Sequence, residues 1–388
     1  MVDERKGVEA NISLGEMLDT FGDHGYKLWD AIFELVDNSV DSFTKYKKQL
    51  SKVRSSPNRI DIHVDNKSRT INVSDNAYGM SYEELQRALI PAKANIHQDG
   101  IGKYGMGLKT ASSWLGKVWI VRTKQLGSTD EYIAKVNIPE LKKSPDNFIP
   151  IRIKKLGNSE KVKNSSYTII EITEGIRPYG SKAFVKTKQM LAIYYQRILD
   201  ENFEIYWRGK KVQFEEPTIF SALDLDGKKQ IYDFEIKPFE FKGQKISGRY
   251  GIYFDSSRGA KGAQIPFTGV TAFWRNRVIL TRDRNWWPSD FFGVGAGNLV
   301  RQRLFLHLTM NDMATNAQKT DFRWDIFTQE QLERQLMHET NGHLKTISTL
   351  AGNVRKEKAP ITPAERELSD GKARKQFESL GPIVDQTS

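Results

Sequence analysis

The chain has 388 residues, 38% hydrophobic and 11% aromatic, which is enough for packed cores and too many for one ordinary core. It has no cysteine, which excludes a disulfide framework and any cysteine-ligated zinc site and fits a reducing interior. A net charge of +11 makes polyanions eligible partners; no apolar run approaches the ~20 residues that span a bilayer, and the start MVDERKGVEA is no signal peptide, so we expect a soluble cytoplasmic protein.

Residues 12–50 read as helix, with Ser13 as a cap and Leu28, Ile32, Leu35 and Val36 at helical spacing. "RIDIHVD" (59–65) and "RTINVSD" (69–75) alternate apolar and polar residues around "NKS", a hairpin. "SYEELQRALI" (81–90) returns to helix and ends at Pro91; a glycine-rich loop and a helix from about Leu108 follow. "KVWIVRTK" and "EYIAKVNI" are strands, 139–166 is a polar, lysine-rich excursion between strands, and "SYTIIEIT" (166–173) is a nearly continuous apolar run, as in a buried strand. "MLAIYYQRIL" is a helix closing the first domain near residue 200. From "FEIYWRGKKVQF" to about 327 the pattern is strand-rich, broken by "FFGVGAGN" (291–298). Thr328 and Gln331 form a capping box ahead of a C-terminal helix, and a charged tail follows Pro360.

Three stretches carry chemistry. Glu34, Asn38 and Asp41 stand at i, i+4 and i+7 and share a helical face, whereas Asp37 is read as lying off it, toward solvent or a supporting position. A carboxylate and a carboxamide aimed the same way can activate a water and hold a hard cation; taken alone, the same pattern is a solvated face. In "SDNAYGM" (74–80), Asp75 ends a strand and can accept a hydrogen bond from a ligand amino group, and Gly79 permits a turn or a close ligand approach. In "GIGKYGMGLKTAS" (100–112), Gly100, Gly102, Gly105 and Gly107 bare the backbone just before a helix, an anion site to which Lys103 and Lys109 add charge. No Gly-Lys-Ser/Thr ends this loop, so it is not a Walker-type P-loop, and its G-x-x-G-x-G spacing differs from the dinucleotide fingerprint.

In that order and spacing, the three stretches resemble the GHKL ATPase superfamily of gyrase, the ninety-kilodalton heat-shock chaperones, histidine kinases and MutL, over roughly residues 10–210. The resemblance implies an α+β fold: a Bergerat ATP-binding α/β sandwich (1–205), a transducer-like α/β domain (206–327) and a C-terminal helical arm and polar tail (328–388). It implies ATP and Mg²⁺ as cofactors, Glu34 as base, Asn38 as magnesium ligand with Asp41 supporting, and Asp75 on the adenine amino group, backed by Thr168. Gly79 with Met80, and Gly102 through Lys109 (Lys103, Tyr104, Gly105, Met106, Gly107 and Leu108 between them), would line the nucleotide. A lid over about Leu89 to Tyr104, with Lys93, would close on the phosphates. Ala77 departs from the family's D-x-G-x-G pattern, and its methyl narrows the adenine approach.

The second half resembles the microrchidia (MORC) branch, through "GVTAFWRNRVIL" (269–280) and "NAQKTDFRW" (316–324). That likeness implies that Lys319 reaches the γ-phosphate, while Arg275 and Arg277 are structural or interfacial. With 33 residues ahead of Glu34 we expect no phosphoacceptor-histidine hairpin, and beyond residue 327 no cleavage domain. The reading is a minimal prokaryote-style relative: an ATPase that forms a homodimer on binding ATP and clamps DNA, in genome maintenance or anti-phage defence. A chaperone-like or signalling switch acting on partner proteins is the alternative, and an ATP-binding regulatory module without hydrolysis is a third.

Overall fold

In the computed structural model, residues 13–90, 105–144, 146–223, 228–254, 268–281, 286–293, 298–316, 319 and 321–353 are described. Ser13 Oγ accepts from Glu16 N at 3.4 Å and starts α1 (Leu14–Thr20), as its sequence position suggests. Next come α2 (Leu28–Lys45), whose first turn is tied by Lys27 N donating to Asp30 Oδ2, and α3 (Lys47–Val53). The hairpin follows as β1 (Asn58–Asp65) and β2 (Thr70–Asp75), then α4 (Tyr82–Leu89), opened by a Ser81–Glu84 capping box. After α5 (Gly107–Leu115) the chain runs through β3 (Gly116–Lys124), β4 (Asp130–Asn137), α6 (Ile138–Lys143), β5 (Ile151–Lys155), α7 (Glu160–Lys163), β6 (Tyr167–Gly175), α8 (Ser181–Tyr194), β7 (Phe203–Trp207) and β8 (Lys210–Lys211).

These eight strands form one sheet, ordered β5-β4-β3-β6-β2-β1-β7-β8, antiparallel except for the β1–β7 pair. Period-2 alternation sends Ile60, Ile62, Val64, Ile71, Val73, Ile170 and Ile172 to the face covered by helices, where they are buried. Alternation also puts Asp75 on that face, two residues beyond Val73 and opposite Ile60. Helix α2 lies between the sheet, α5 and α8, and so is buried over most of its surface: Ile32, Phe33, Leu35, Val36, Val40 and Phe43 are all buried.

Three sequence expectations change here. The excursion at 139–166 contains β5, which extends the sheet as an edge strand beside β4. β6 is a central strand with alternating burial, because only one face of the sheet is covered. β7 and β8, expected to begin the second domain, stay in the first sheet through Lys211.

The second unit holds a two-stranded pair, β9 (Ser221–Leu223) with β10 (Lys229–Ile231), and a five-stranded sheet. That sheet is built from β11 (Asp233–Phe241), β12 (Gln244–Ile252), β13 (Gly269–Trp274), β14 (Arg277–Leu280) and, after α9 (Ser289–Phe292) and α10 (Leu299–Arg303), β15 (Leu304–Thr309). Its order is β11-β12-β15-β13-β14, with β13 and β15 parallel. Two helices follow, α11 (Ile326–Glu339) and α12 (His343–Asn353), where the sequence suggested one. Asn341 and Gly342, at φ +48° and +74°, stop the first helix, since Asn and Gly tolerate this left-handed backbone. The cap of α11 is Asp325, whose carboxylate accepts Thr328 N at 2.7 Å, and not the expected Thr328 box; a stronger capping residue stands three positions earlier. Both helices pack on the second sheet through Leu332, Leu336, Leu344 and Ile347 and so do not form a free arm. No helix among the described residues is long and apolar enough to cross a membrane.

Candidate functional site

The site is built on α2. Glu34 is 3% exposed, and its Oε2 accepts from Lys319 Nζ at 2.8 Å. The same ammonium donates to Asp37 Oδ2 at 2.9 Å. Asp37 Oδ1 accepts the Tyr195 hydroxyl at 2.8 Å and lies 2.8 Å from Arg277 Nε, an ion pair without the angle of a hydrogen bond. Arg277 donates to the Lys319 carbonyl oxygen at 2.8 Å, so it grips both the carboxylate and the loop that carries the lysine. Asp37, Arg277 and Lys319 are 0%, 2% and 3% exposed, which makes a dry cluster of two carboxylates and two cations. In such a cluster, removing one partner strands a buried charge at a cost of about 3–5 kcal/mol.

Burial and the Asp37 carboxylate push the Glu34 carboxyl above the ordinary range, while Lys319 and Arg277 pull it down without reversing the shift. Burial alone would lower Lys319, but Asp37 and Glu34 outweigh it and hold the ammonium charged. Lys319 has φ +52°, a left-handed backbone that is costly for a side-chain-bearing residue.

This geometry bears on three readings of the sequence. Asp37 does not face solvent: i, i+3 neighbours share a helical face, so it flanks the same ammonium as Glu34. Lys319 is buried, unlike most loop lysines. Arg277 is interfacial, joining β14 to α2.

Helix α5 closes one side. A Cβ on Gly107 would stand 2.3 Å from Glu34 Oε2, so any other residue there would displace the carboxylate. Among the described residues no side chain caps the first turn of α5, which begins beside Glu34. Such a terminus is suited to an anion. Gly105 has φ +61°, and Leu108 is buried. Lys109 is buried too, but its Nζ donates to Ala88 O at 2.6 Å, tying α5 to the end of α4. Desolvation lowers it to about 8. Asn38 is exposed one turn beyond Glu34, and Asp41 is half-buried a turn further on.

At the far end of α2 the strands bring Asp75, Thr168 and Thr123 into one cross-strand row. Asp75 Oδ2 accepts Ser39 Oγ at 2.6 Å; Oδ1 accepts Ala77 N at 2.9 Å and Thr168 N at 3.2 Å. A carboxylate has about four acceptor sites, so one on Oδ2 remains for an amino donor. Burial raises the Asp75 pKa, opposed by those three hydrogen bonds and by Arg54. Ala77 is compatible with the site, since its backbone N–H is what Asp75 uses. Gly79 has φ +74°, and a Cβ there would stand 2.0 Å from Lys124 O. Met80 N donates to Thr123 Oγ1, which also pairs with Thr168 Oγ1 at 3.1 Å. Ser39, Thr123, Tyr195 and Asp37 were not picked out from the sequence as site residues. Strand register gives Thr123 once Thr168 is chosen; Tyr195 and Ser39 carry no sequence signal of their own.

The donor set fits a nucleotide with its cation. Among the described residues no group of three or more His, Cys, Asp or Glu could hold a metal by itself. One amide oxygen from Asn38 suits Mg²⁺ that brings phosphate and water ligands with it. Lys93, Gly102, Lys103, Tyr104 and most of the expected lid lie outside the described residues. In the lysine-rich segment, Lys142 pairs with Asp19 and Glu16, Lys154 with Glu131 and Lys155 with Asp130.

Residues 26–168 match the family described as histidine kinase-, DNA gyrase B- and HSP90-like ATPase. No curated protein matches the chain. Among solved structures it is similar to the ATPase region of Saccharomyces cerevisiae topoisomerase II, both as such and bound to ICRF-187 (dexrazoxane). In each case identity is 14%, coverage 84% of this chain and 86% of that one, and the TM-score 0.47.

Proposed function

We propose that residues 26–168, which match the histidine kinase-, gyrase B- and HSP90-like ATPase family, form a GHKL ATPase domain and that the chain is a slow, magnesium-dependent ATP hydrolase. The observation that carries this reading is the Glu34 carboxylate, buried against the start of α5 and held by Lys319 from the second unit. Asp75, with Thr168 behind it, receives the adenine amino group, and the α5 N–H groups receive phosphate oxygens. Asn38 would hold Mg²⁺, which would supply charge neutralisation to the phosphates. Glu34 takes the proton of the attacking water; the water oxygen bonds to the γ-phosphorus as the bond to the bridging oxygen breaks, giving ADP and phosphate. Lys319 moves between Glu34 and the γ-phosphate and so reports to the second unit which nucleotide is bound.

The finer reading is MORC-like: ATP closes a homodimer through the N-terminal domains, and the closed dimer holds DNA, in genome maintenance or antiviral defence. The net charge of +11 supports a polyanionic partner. The test is DNA retention and oligomeric state with and without a non-hydrolysable ATP analogue, across a salt series. Phosphate-driven binding weakens steeply with salt. Analogue-dependent dimers that retain DNA support the clamp; a monomer with analogue, or no DNA retention, counts against it.

A further inference from the structure

Asp37 has no task in the reaction above, yet it is fully enclosed and makes three polar contacts: Lys319, Tyr195 and Arg277. Tyr195, which also donates to Phe33 O at 3.3 Å, ties it to the end of α8, and Arg277 ties it to β14. Resting on the ATPase reading, we propose that Asp37 is a positioning residue for hydrolysis. With Arg277 it fixes where Lys319 stands, and it gives the ammonium a second carboxylate, so that Glu34 can be freed to act as base.

The reasoning is electrostatic. If Glu34 alone held Lys319, releasing it would leave a dry, unpaired ammonium, an expensive intermediate. With Asp37 one turn away, the ammonium keeps a partner throughout. Arg277 then balances the second carboxylate and, through the Lys319 carbonyl, restrains the strained backbone from which the lysine projects. Arg277 and Lys319 both come from the second unit, so the same contact joins that unit to α2.

The test uses Asp37→Asn, which keeps the shape and removes the charge, and the double variant Asp37→Asn/Arg277→Gln, which keeps the buried charges balanced and guards against simple misfolding. Turnover of Mg²⁺–ATP, ATP affinity by calorimetry, and Tm are measured on the full chain, with the wild type and Glu34→Ala alongside. We expect turnover to fall by about tenfold or more in both variants, with ATP affinity nearly unchanged and the double variant melting like the wild type. In Asp37→Asn the acidic limb of the kcat–pH profile should move to lower pH. Among the described residues the groups facing Glu34 are Asp37 on its own helix, Lys319 and Arg277 from the second unit, and Tyr26 ahead of α2; only the first has changed, and it is an anion that raises Glu34. A purely structural role would leave that limb in place. Wild-type turnover in the folded double variant, or an unshifted limb in Asp37→Asn, overturns the proposal while leaving the ATPase reading intact. Absence of turnover in the wild type overturns both.

Discussion

Lys319 Nζ stands 2.8 Å from Glu34 Oε2 across 285 residues of sequence. The catalytic candidate on α2 is therefore paired with a side chain of the second unit. Lys319→Met should lower Mg²⁺–ATP turnover by about 10²-fold, in the range seen when a charge-stabilising donor is lost. It should also destabilise the fold by about 3–5 kcal/mol, because two buried carboxylates then share one cation. Phosphate release and chemical denaturation read these separately.

Gly107→Ala tests the packing of α5 on the base. The added methyl would lie 2.3 Å from Glu34 Oε2, so the carboxylate must shift. Misplacement of a reacting group by about 1 Å can cost 10²-fold. Loss of turnover with little change in ATP affinity is the expected result, measured by steady-state kinetics and calorimetry.

Asp75→Asn replaces one acceptor oxygen by an amide donor in a site where three donors already point at the carboxylate. Ser39 or the incoming adenine amino group would then lack its acceptor. A hydrogen bond to a charged group is worth about 1.5–3 kcal/mol, so ATP affinity should fall by roughly 10- to 100-fold. Titration calorimetry with ATP checks it.

His307 offers a pH test away from the nucleotide. It is 3% exposed on β15, opposite Arg249, and its Nε2 lacks a hydrogen-bond partner among the described residues. Burial first, then Arg249 and Arg197, lower its pKa from 6.5 to about 3. The folded state thus binds the proton less readily than the unfolded state. Its contribution is full above pH 6.5 and is lost as pH falls toward 3, at about 1.4 kcal/mol per pH unit. Urea denaturation between pH 7 and 5 should show this slope, and His307→Phe should flatten it.

Local signals carried much of the fold. The hairpin of β1 and β2, the Ser13 and Ser81 helix starts and the strands around Trp119 follow from alternation and capping, which act within a few residues. β5 was missed because an edge strand rich in Arg and Lys lacks alternating burial. The break at Asn341–Gly342 lies inside an otherwise helical pattern, so the sequence reads there as one helix. In the site, Glu34, Asp75 and Gly107 stood out through spacing. Asp37 did not, because four polar residues on one helix can face water or another domain, and only tertiary packing of Arg277 and Lys319 decides which.

The most direct test of the account is phosphate release from saturating Mg²⁺–ATP by the wild type and by Glu34→Ala, with ATP binding measured on the same preparations. The account predicts slow wild-type turnover, at least about 10²-fold less in the variant, and ATP affinity retained within a few-fold. Turnover in Glu34→Ala equal to that of the wild type would contradict it.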